Sequence, residues 1–382
     1  MRQHASWATE FPQTPGLIYL NHAAVAPWPQ RAAQAVCRFA AENVAQGAAD
    51  YPRWASQEKH LREQLRQLLN APSSEDIALV KNTSEALSFV AAGLDWHQGD
   101  EVLISDQEFP SNRIVWEALA PQGVTLRRES LSVDDPEAAL INAMGPRTRL
   151  LSISSVQYAS GLRLDLQRLG QACRQRGILF CVDAIQSLGA HHFDVQQIDC
   201  DFAMADGHKW LLGPEGLGVF YCRAARREQL KPSQFGWHMV EAMGDYDRED
   251  WTAAASARRY EPGSPNMLAQ QALSASLGLL LETGMTEVEA ALAERIDWLH
   301  QALARRPGLR LLSPAEPERR AGILTFHLEG VDHVALVQRL RQQQLVCAAR
   351  GGGLRWSPHF YTPAEQLEQA LVVLERCVQT PG

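Results

Sequence analysis

Lys209 stands between His208 and Trp210, just past an apolar run, 202–205, that reads as a buried strand. A second apolar run, Ile178-Leu-Phe-Cys-Val-Asp-Ala-Ile-Gln186, ends in Asp183 and Gln186. A lysine able to form a Schiff base, an aspartate at a strand end and a nearby histidine are what a protein needs to hold pyridoxal phosphate (PLP). The lysine forms the imine, and the carboxylate keeps the pyridine nitrogen protonated so that the ring can accept an electron pair. Each residue alone has a plainer reading, since a lysine near a strand end often just pairs with a carboxylate. Together, at adjacent strand ends, they favour the cofactor. Asp183 closes a run that should be buried, and a buried carboxylate needs a partner. Gln186 can reach the ring hydroxyl or cap the local backbone.

A phosphate needs hydroxyls and amide donors, best supplied at a helix N-terminus. Val80-Lys-Asn-Thr-Ser-Glu-Ala-Leu-Ser88 supplies both where a strand passes into a helix, with Thr83 and Ser84 as hydroxyl donors. The same residues would also make an ordinary N-cap.

The elements that must position these groups alternate. Short apolar runs at 77–81, 101–105, 125–128, 150–154, 179–183, 202–205 and 218–222 predict seven strands, with helices at 112–119, 136–143 and 165–176 among them. This pattern predicts an α/β fold with a mostly parallel sheet between helices, whose ligands gather at the C-terminal strand ends. Past Gly263 the texture changes: long helices at 265–281 and 286–305 precede strands at 323–328, 345–348 and 354–357 and helices at 334–343 and 363–377. The expectation is a large domain over 18–262 and a smaller α+β domain over 263–382, with residues 1–17 packing on the latter and a helix at 29–45 packing on either.

The chain has 382 residues and a formal charge of −8, with no sign of a nucleic-acid or anionic-membrane partner. The arginine pairs 127–128, 226–227 and 258–259 read as solvated faces. No apolar run predicts a membrane span, the polar start is unlike a signal peptide, and seven cysteines lack metal-ligand spacing. A cytoplasmic protein without a bound metal is expected.

These segments resemble the aminotransferase class V group of PLP enzymes, through Tyr19-Leu-Asn-His-Ala-Ala-Val-Ala-Pro27, Asn82-Thr-Ser-Glu85, Asp106-Gln-Glu-Phe-Pro-Ser-Asn112, Ser155-Val-Gln-Tyr-Ala-Ser-Gly161, Val182-Asp-Ala-Ile-Gln-Ser-Leu-Gly189, Gly207-His-Lys-Trp-Leu-Leu-Gly-Pro-Glu-Gly216, Tyr260-Glu-Pro-Gly-Ser-Pro-Asn266 and Gly351-Gly-Gly-Leu-Arg-Trp-Ser-Pro-His-Phe-Tyr361. Glu-Phe-Pro-Ser-Asn, Gly-Pro-Glu-Gly and Ser-Pro-His-Phe-Tyr are most similar to the isopenicillin-N-epimerase-like branch, beside the cysteine-desulfurase-like one. The resemblance implies PLP fold type I, with Lys209 in the Schiff base, Asp183 on the pyridine nitrogen and Gln186 on the ring oxygen. It implies that Thr83, Ser84 and His208 bind phosphate and that Phe109 stacks on the cofactor. It further implies that Tyr158 touches cofactor or substrate, that Ser264 reaches the phosphate of a neighbouring subunit in a homodimer, that Arg355 grips the substrate α-carboxylate, and that His22, Ala23 and Ala24 line the substrate pocket.

Two departures matter. The family commonly has serine where this chain has Asp206, and an aspartate beside a phosphate dianion should turn away and either cap the backbone or orient His208. Desulfurases present a nucleophilic cysteine on a loop upstream of the carboxylate-binding arginine. Here Cys347 sits in a strand-like run and reads as core, which argues against persulfide formation on the enzyme. The expected activity is that of a PLP enzyme on an amino acid or related amine. Transamination comes first, with epimerisation or Cβ/C–S lysis as alternatives and a non-catalytic PLP-binding module last. The stretch 234–257 reads as a substrate lid or a surface loop.

Overall fold

Strands buried on both faces read as unbroken apolar runs, and the seven predicted strands form one sheet for that reason. This computed structural model describes residues 1–2 and 4–379. In chain order its regular elements begin with α1 (Ala5–Glu10), β1 (Ile18–Tyr19), α2 (Gln30–Gln46), α3 (Tyr51–Leu69), β2 (Ile77–Val80), α4 (Thr83–Gly93), β3 (Glu101–Ser105), α5 (Ser111–Glu117), β4 (Thr125–Glu129) and α6 (Pro136–Ala143). Next come β5 (Thr148–Ser154), α7 (Leu166–Arg176), β6 (Leu179–Asp183), α8 (Val195–Ile198), β7 (Phe202–Asp206) and β8 (Gly218–Cys222). The sheet order is β2-β8-β7-β6-β5-β3-β4, and β8 alone runs antiparallel to its neighbours. Every residue of β3, β6, β7 and β8 is buried, whereas β4 at the edge keeps Thr125 and Arg128 exposed, a charged border that discourages further strand pairing.

The remaining elements are α9 (Met267–Thr283), α10 (Met285–Ala304), β9 (Leu309–Leu311), β10 (Leu324–Leu328), α11 (His333–Gln342), β11 (Leu345–Val346), β12 (Ala348–Arg350), β13 (Gly353–Trp356) and α12 (Ala364–Gln379). Here β12-β13-β10-β9 make an antiparallel sheet. The single run expected at 345–348 divides at Cys347. β11 pairs in parallel with β1 from the other end of the chain, while β12 turns into the antiparallel sheet. Around the division expected at 262/263, elements cross both ways. Leu273, Leu277 and Leu280 of α9 join the core of the large sheet, and α9 packs on α2 and α3. Ile18 and Leu20 join the core of the smaller sheet with Trp210 and Trp356. From residues 1–17, Trp7 meets Phe360 edge-on at 4.9 Å and Phe11 stacks on Tyr361 at 3.4 Å.

Helix α3 has no counterpart in the sequence expectations. Its apolar stripe of Trp54, Leu61, Leu65 and Leu68 is interrupted by buried Glu58 and Arg62. Arg62 donates to Glu58 Oε1 at 2.7 Å and to both oxygens of Glu261 at 2.6 and 2.7 Å, so the charges are paired and the stripe still packs. The arginine pairs also depart from a solvated reading: Arg226 bonds Asp201 at 2.8 Å, Arg227 bonds buried Asp76, and Arg259 is itself buried.

Candidate active site

Lys209 follows β7 in a tight turn that only glycine permits at its start. A Cβ on Gly207 would stand 2.7 Å from the Leu217 carbonyl oxygen, far inside contact distance. Behind Lys209, the fully buried Trp210 donates its indole N–H to Gln186 Oε1 at 2.8 Å. Gln186 Nε2 donates to the Ala23 carbonyl at 3.1 Å, and Ala26 N–H to the His208 carbonyl at 2.8 Å. The lysine turn, the end of β6 and the segment 23–26 are therefore laced together, and they close on a cavity of about 340 Å³, an ordinary size for a small-molecule site.

Ala24, Thr83, Ser84, Phe109, Tyr158, Asp183, Gln186, His208, Lys209 and Arg355 all line that cavity. Ser264 does not: it is exposed beyond the cavity wall. His22 does not line it either. Its Nδ1 lies 2.8 Å from the Ser357 carbonyl and its Nε2 2.7 Å from the Tyr361 hydroxyl, which leaves it fully buried behind Ala23 and Ala24. Asp206 does not turn away. It borders the cavity with Oδ1 3.1 Å from His208 Nδ1, which is the orienting role expected as the alternative. Sequence reasoning passed over Val25, Asn82, Ser111, Ile185, Glu215 and Arg350, which also border the cavity. Ser111 lies inside Glu-Phe-Pro-Ser-Asn and Arg350 directly precedes the glycine run, so both had a signal. No residue of 234–257 borders this cavity. That stretch encloses a separate one of about 610 Å³ among Phe235, Trp237, Tyr246 and Trp251.

The electrostatics follow from burial. Asp183 at the end of β6 is held by one bond, from the Ile185 N–H at 3.0 Å, and burial pushes its carboxyl up to about 7, with Glu108 adding to the effect. Burial pushes the Lys209 ammonium down to about 8 against the pull of Asp183, so the amine is within reach of its nucleophilic neutral form. Lys209 Nζ sits over the Phe109 ring, 5.7 Å from its centroid, and Tyr158 meets that ring edge-on at 5.2 Å. Phe109 is itself fixed from below. The buried Glu108 accepts hydrogen bonds from Ser154 N–H and from the side chains of Ser105, Ser154, Asn112 and Gln157.

PLP fits these residues on a direct criterion. Thr83 Oγ1 and Arg355 Nε are buried polar atoms at the cavity with no hydrogen-bond partner among the described residues, and His208 Nδ1 and Asp206 Oδ1 have none beyond their 3.1 Å contact with each other. Such an atom costs about 1–3 kcal/mol. Three of these residues, Thr83, His208 and Arg355, can donate to anions such as a phosphate or a carboxylate. The start of α4 adds its free amides, with Asn82 Oδ1 capping Glu85 N–H at 2.9 Å and Ser84 donating to Ser111 Oγ at 2.8 Å. Asp206 is the misfit, a carboxylate among phosphate donors. Replacing it with serine is expected to tighten PLP binding by roughly tenfold, ~1.4 kcal/mol, in equilibrium dialysis of the apoprotein. An unchanged affinity would mean that His208, oriented by Asp206, already offsets the repulsion.

A seven-stranded doubly wound sheet that brings a lysine, an aspartate and a helix N-terminus to one set of strand ends is the fold-type-I architecture of PLP enzymes. The chain belongs to the aminotransferase class-V family, whose model matches residues 18–367. It is similar to isopenicillin N epimerase of Streptomyces clavuligerus, at 32% identity over 94% of this chain and 95% of the relative. It is equally similar, at 32% identity over 98% of both chains, to a probable cysteine desulfurase of Pseudomonas aeruginosa. Among solved structures, a cystine C–S lyase in complex with its product, cysteine persulfide, superimposes with a TM-score of 0.90 at 26% identity, over 97% of this chain and 100% of that one.

Proposed function

We propose that the chain is a PLP-dependent enzyme that acts at Cα of an amino acid and eliminates a substituent from Cβ, with a C–S bond as the favoured one to break. The observation that carries this reading is the composition of the cavity wall, which contains one amine, Lys209, and no cysteine. Bound PLP supplies the electron sink for the pair left by the Cα proton. Asp183 would hold the ring nitrogen and Phe109 the ring face. Lys209 would take the Cα proton on Nζ and hand it to the departing group. Arg355 orients the α-carboxylate through its guanidinium fork.

Sulfur transfer to an enzyme thiol is suggested by the names of several relatives, but no thiol among the described residues is placed for it. Cys347 is buried between β11 and β12, and burial pushes its thiol up to about 12, so neither exposure nor a thiolate is available. Epimerisation is the second reading, favoured by the relative from Streptomyces and by Tyr158, a hydroxyl-bearing ring beside Phe109. The relatives' names support either reading better than the transamination expected first from the sequence.

The test is proton NMR of wild-type holoprotein with amino acids in D2O and no oxo-acid acceptor. A 2-oxo acid with ammonia and a free thiol over many turnovers supports elimination. Cα-deuterated substrate of both hands replaces it with epimerisation. A single equivalent of oxo acid with stalled turnover restores transamination. Cys347→Ala is expected to leave turnover within about twofold of wild type, because the thiol lies outside the cavity; a drop of the ~10²-fold size typical of a lost catalytic group would revive the desulfurase reading.

A homodimer and a cytoplasmic location accompany the proposal. All seven cysteines are free, as in a reducing compartment, and no described helix is long and apolar enough to cross a membrane. Exposed Ser264 is free to reach a neighbouring subunit.

A further inference from the structure

Arg355 has a companion. In the pairing of β12 with β13, Arg355 is opposite Ala348, and Arg350 is opposite Gly353. Residues directly opposite share a face, and so do residues two apart on one strand. Arg350 and Arg355 therefore point to the same side of the sheet as diagonal neighbours, roughly 7–8 Å apart at the backbone. That side is the cavity, which both residues border.

The hairpin that carries Arg350 is pinned. Gly351 and Gly352 both have left-handed φ, +57° and +78°, as a two-residue turn of matching twist requires. A Cβ on Gly351 would meet Ala159 Cβ at 3.0 Å, so the tip lies directly on the segment that carries Tyr158. His327 Nδ1, 2.9 Å from the Gly352 carbonyl, holds it from the other side. Arg355 is tied to the same segment, donating Nη1 to the Tyr158 carbonyl at 2.8 Å.

The Arg350 guanidinium, in contrast, is idle. It is exposed, its hydrogen bond goes only to the adjacent Ala349 carbonyl, and it forms no ion pair with a described residue. The carboxylates of the cavity are committed or distant in role. Asp183 and Asp206 lie with Lys209 and His208, and exposed Glu215 on the rim makes no ion pair with Arg350. Two guanidinia that face one cavity repel one another, and the effect is felt at Arg355, whose guanidinium is brought down to about 10 by burial and then by Arg350. Two anionic groups on one ligand would relieve it.

We propose that Arg350 determines substrate specificity by binding a second carboxylate, carried on the side chain of an amino acid whose α-carboxylate is held by Arg355. The substrate class is therefore a dicarboxylic amino acid, either an acidic side chain or two amino-acid units joined through sulfur. This rests on the reading of the cavity as a PLP-dependent amino-acid site and adds the side chain to it.

The test is a spectral titration of wild-type holoprotein and of Arg350→Gln, following the PLP absorbance as matched pairs are added: glutamate against glutamine, 2-aminoadipate against its side-chain amide, and cystine against its monoamide. At least one dicarboxylate should bind wild type about tenfold more tightly than its amide, ~1.4 kcal/mol. Arg350→Gln should abolish that preference while leaving the amide's affinity unchanged. Arg350→Glu should reverse the preference towards lysine and ornithine. Equal binding of acid and amide by wild type, or a preference that survives Arg350→Gln, overturns the proposal and leaves the amino-acid site intact. A protein that takes up no PLP, or whose PLP spectrum no amino acid perturbs, overturns the underlying reading as well.

Discussion

Replacing Lys209 with alanine is expected to lower turnover by at least about 10³-fold, within the range lost when a positioned acid–base group is removed, and to abolish the absorbance of a lysine-bound cofactor. Lys209 is the one amine of the cavity wall, and no neighbour can substitute for it: His208 faces Asp206, and His22 is sequestered by Ser357 and Tyr361. PLP should still associate through Thr83, Ser84, His208 and the amides of α4. The variant should therefore take up cofactor in dialysis and show the spectrum of a free aldehyde. Retention of the lysine-type spectrum, or of turnover above one part in a hundred, would refute the assignment. A conservative Lys209→Arg keeps the charge but lacks a nucleophilic nitrogen at working pH, and it should be equally inactive.

Asp183→Asn is expected to separate stability from activity. The carboxyl is buried at the end of β6, with one backbone N–H for a partner, and burial lifts it to about 7. A group raised in the folded state adds stability below its unfolded value, near 4. That stability is lost as pH rises through about 7, because above that point folding must bury a charge. Without cofactor, wild type should therefore lose stability between pH 5 and 8 from this group, and Asp183→Asn should lack that loss and gain about 1–3 kcal/mol at pH 8. Urea denaturation at the two pH values reads it directly. With cofactor the order reverses. An amide does not stabilise a protonated pyridine nitrogen as a carboxylate does, so turnover should fall by about 10²–10⁴-fold. Equal stability of both apoproteins at pH 8 would mean that Lys209 already neutralises Asp183.

Most of the large sheet was legible in the sequence because its strands are buried on both faces and so contain little but apolar residues; β6 and β7 end where Asp183 and Asp206 interrupt them. The same clarity located Lys209 and the Thr83–Ser84 helix start. Helix α3 escaped because Arg62 and its carboxylates occupy positions that an amphipathic pattern reserves for apolar side chains. β9 is only three residues long. His22 was drawn into the pocket by its neighbours Ala23 and Ala24, both of which border the cavity. Residues 22–24 form a turn, with Ala24 N–H bonded to the Asn21 carbonyl at 2.9 Å, so successive side chains point in different directions and nothing local in the sequence fixes which of them meets the cavity. Arg350 escaped for a different reason: its relation to Arg355 is a matter of hairpin register, which linear spacing does not express.

The pairing of β1 with β11 has a bearing on biosynthesis. The segment that leads from β1 into the cavity wall at Ala23, Ala24 and Val25 acquires its strand partner only from Leu345 and Val346, and Asn21 is bridged to Ser357. On the ribosome, therefore, the large sheet can assemble while its binding site still lacks one wall. Contacts between remote parts of a chain are slow to form, so cofactor capture should be a late event that follows the emergence and docking of residues 345–357.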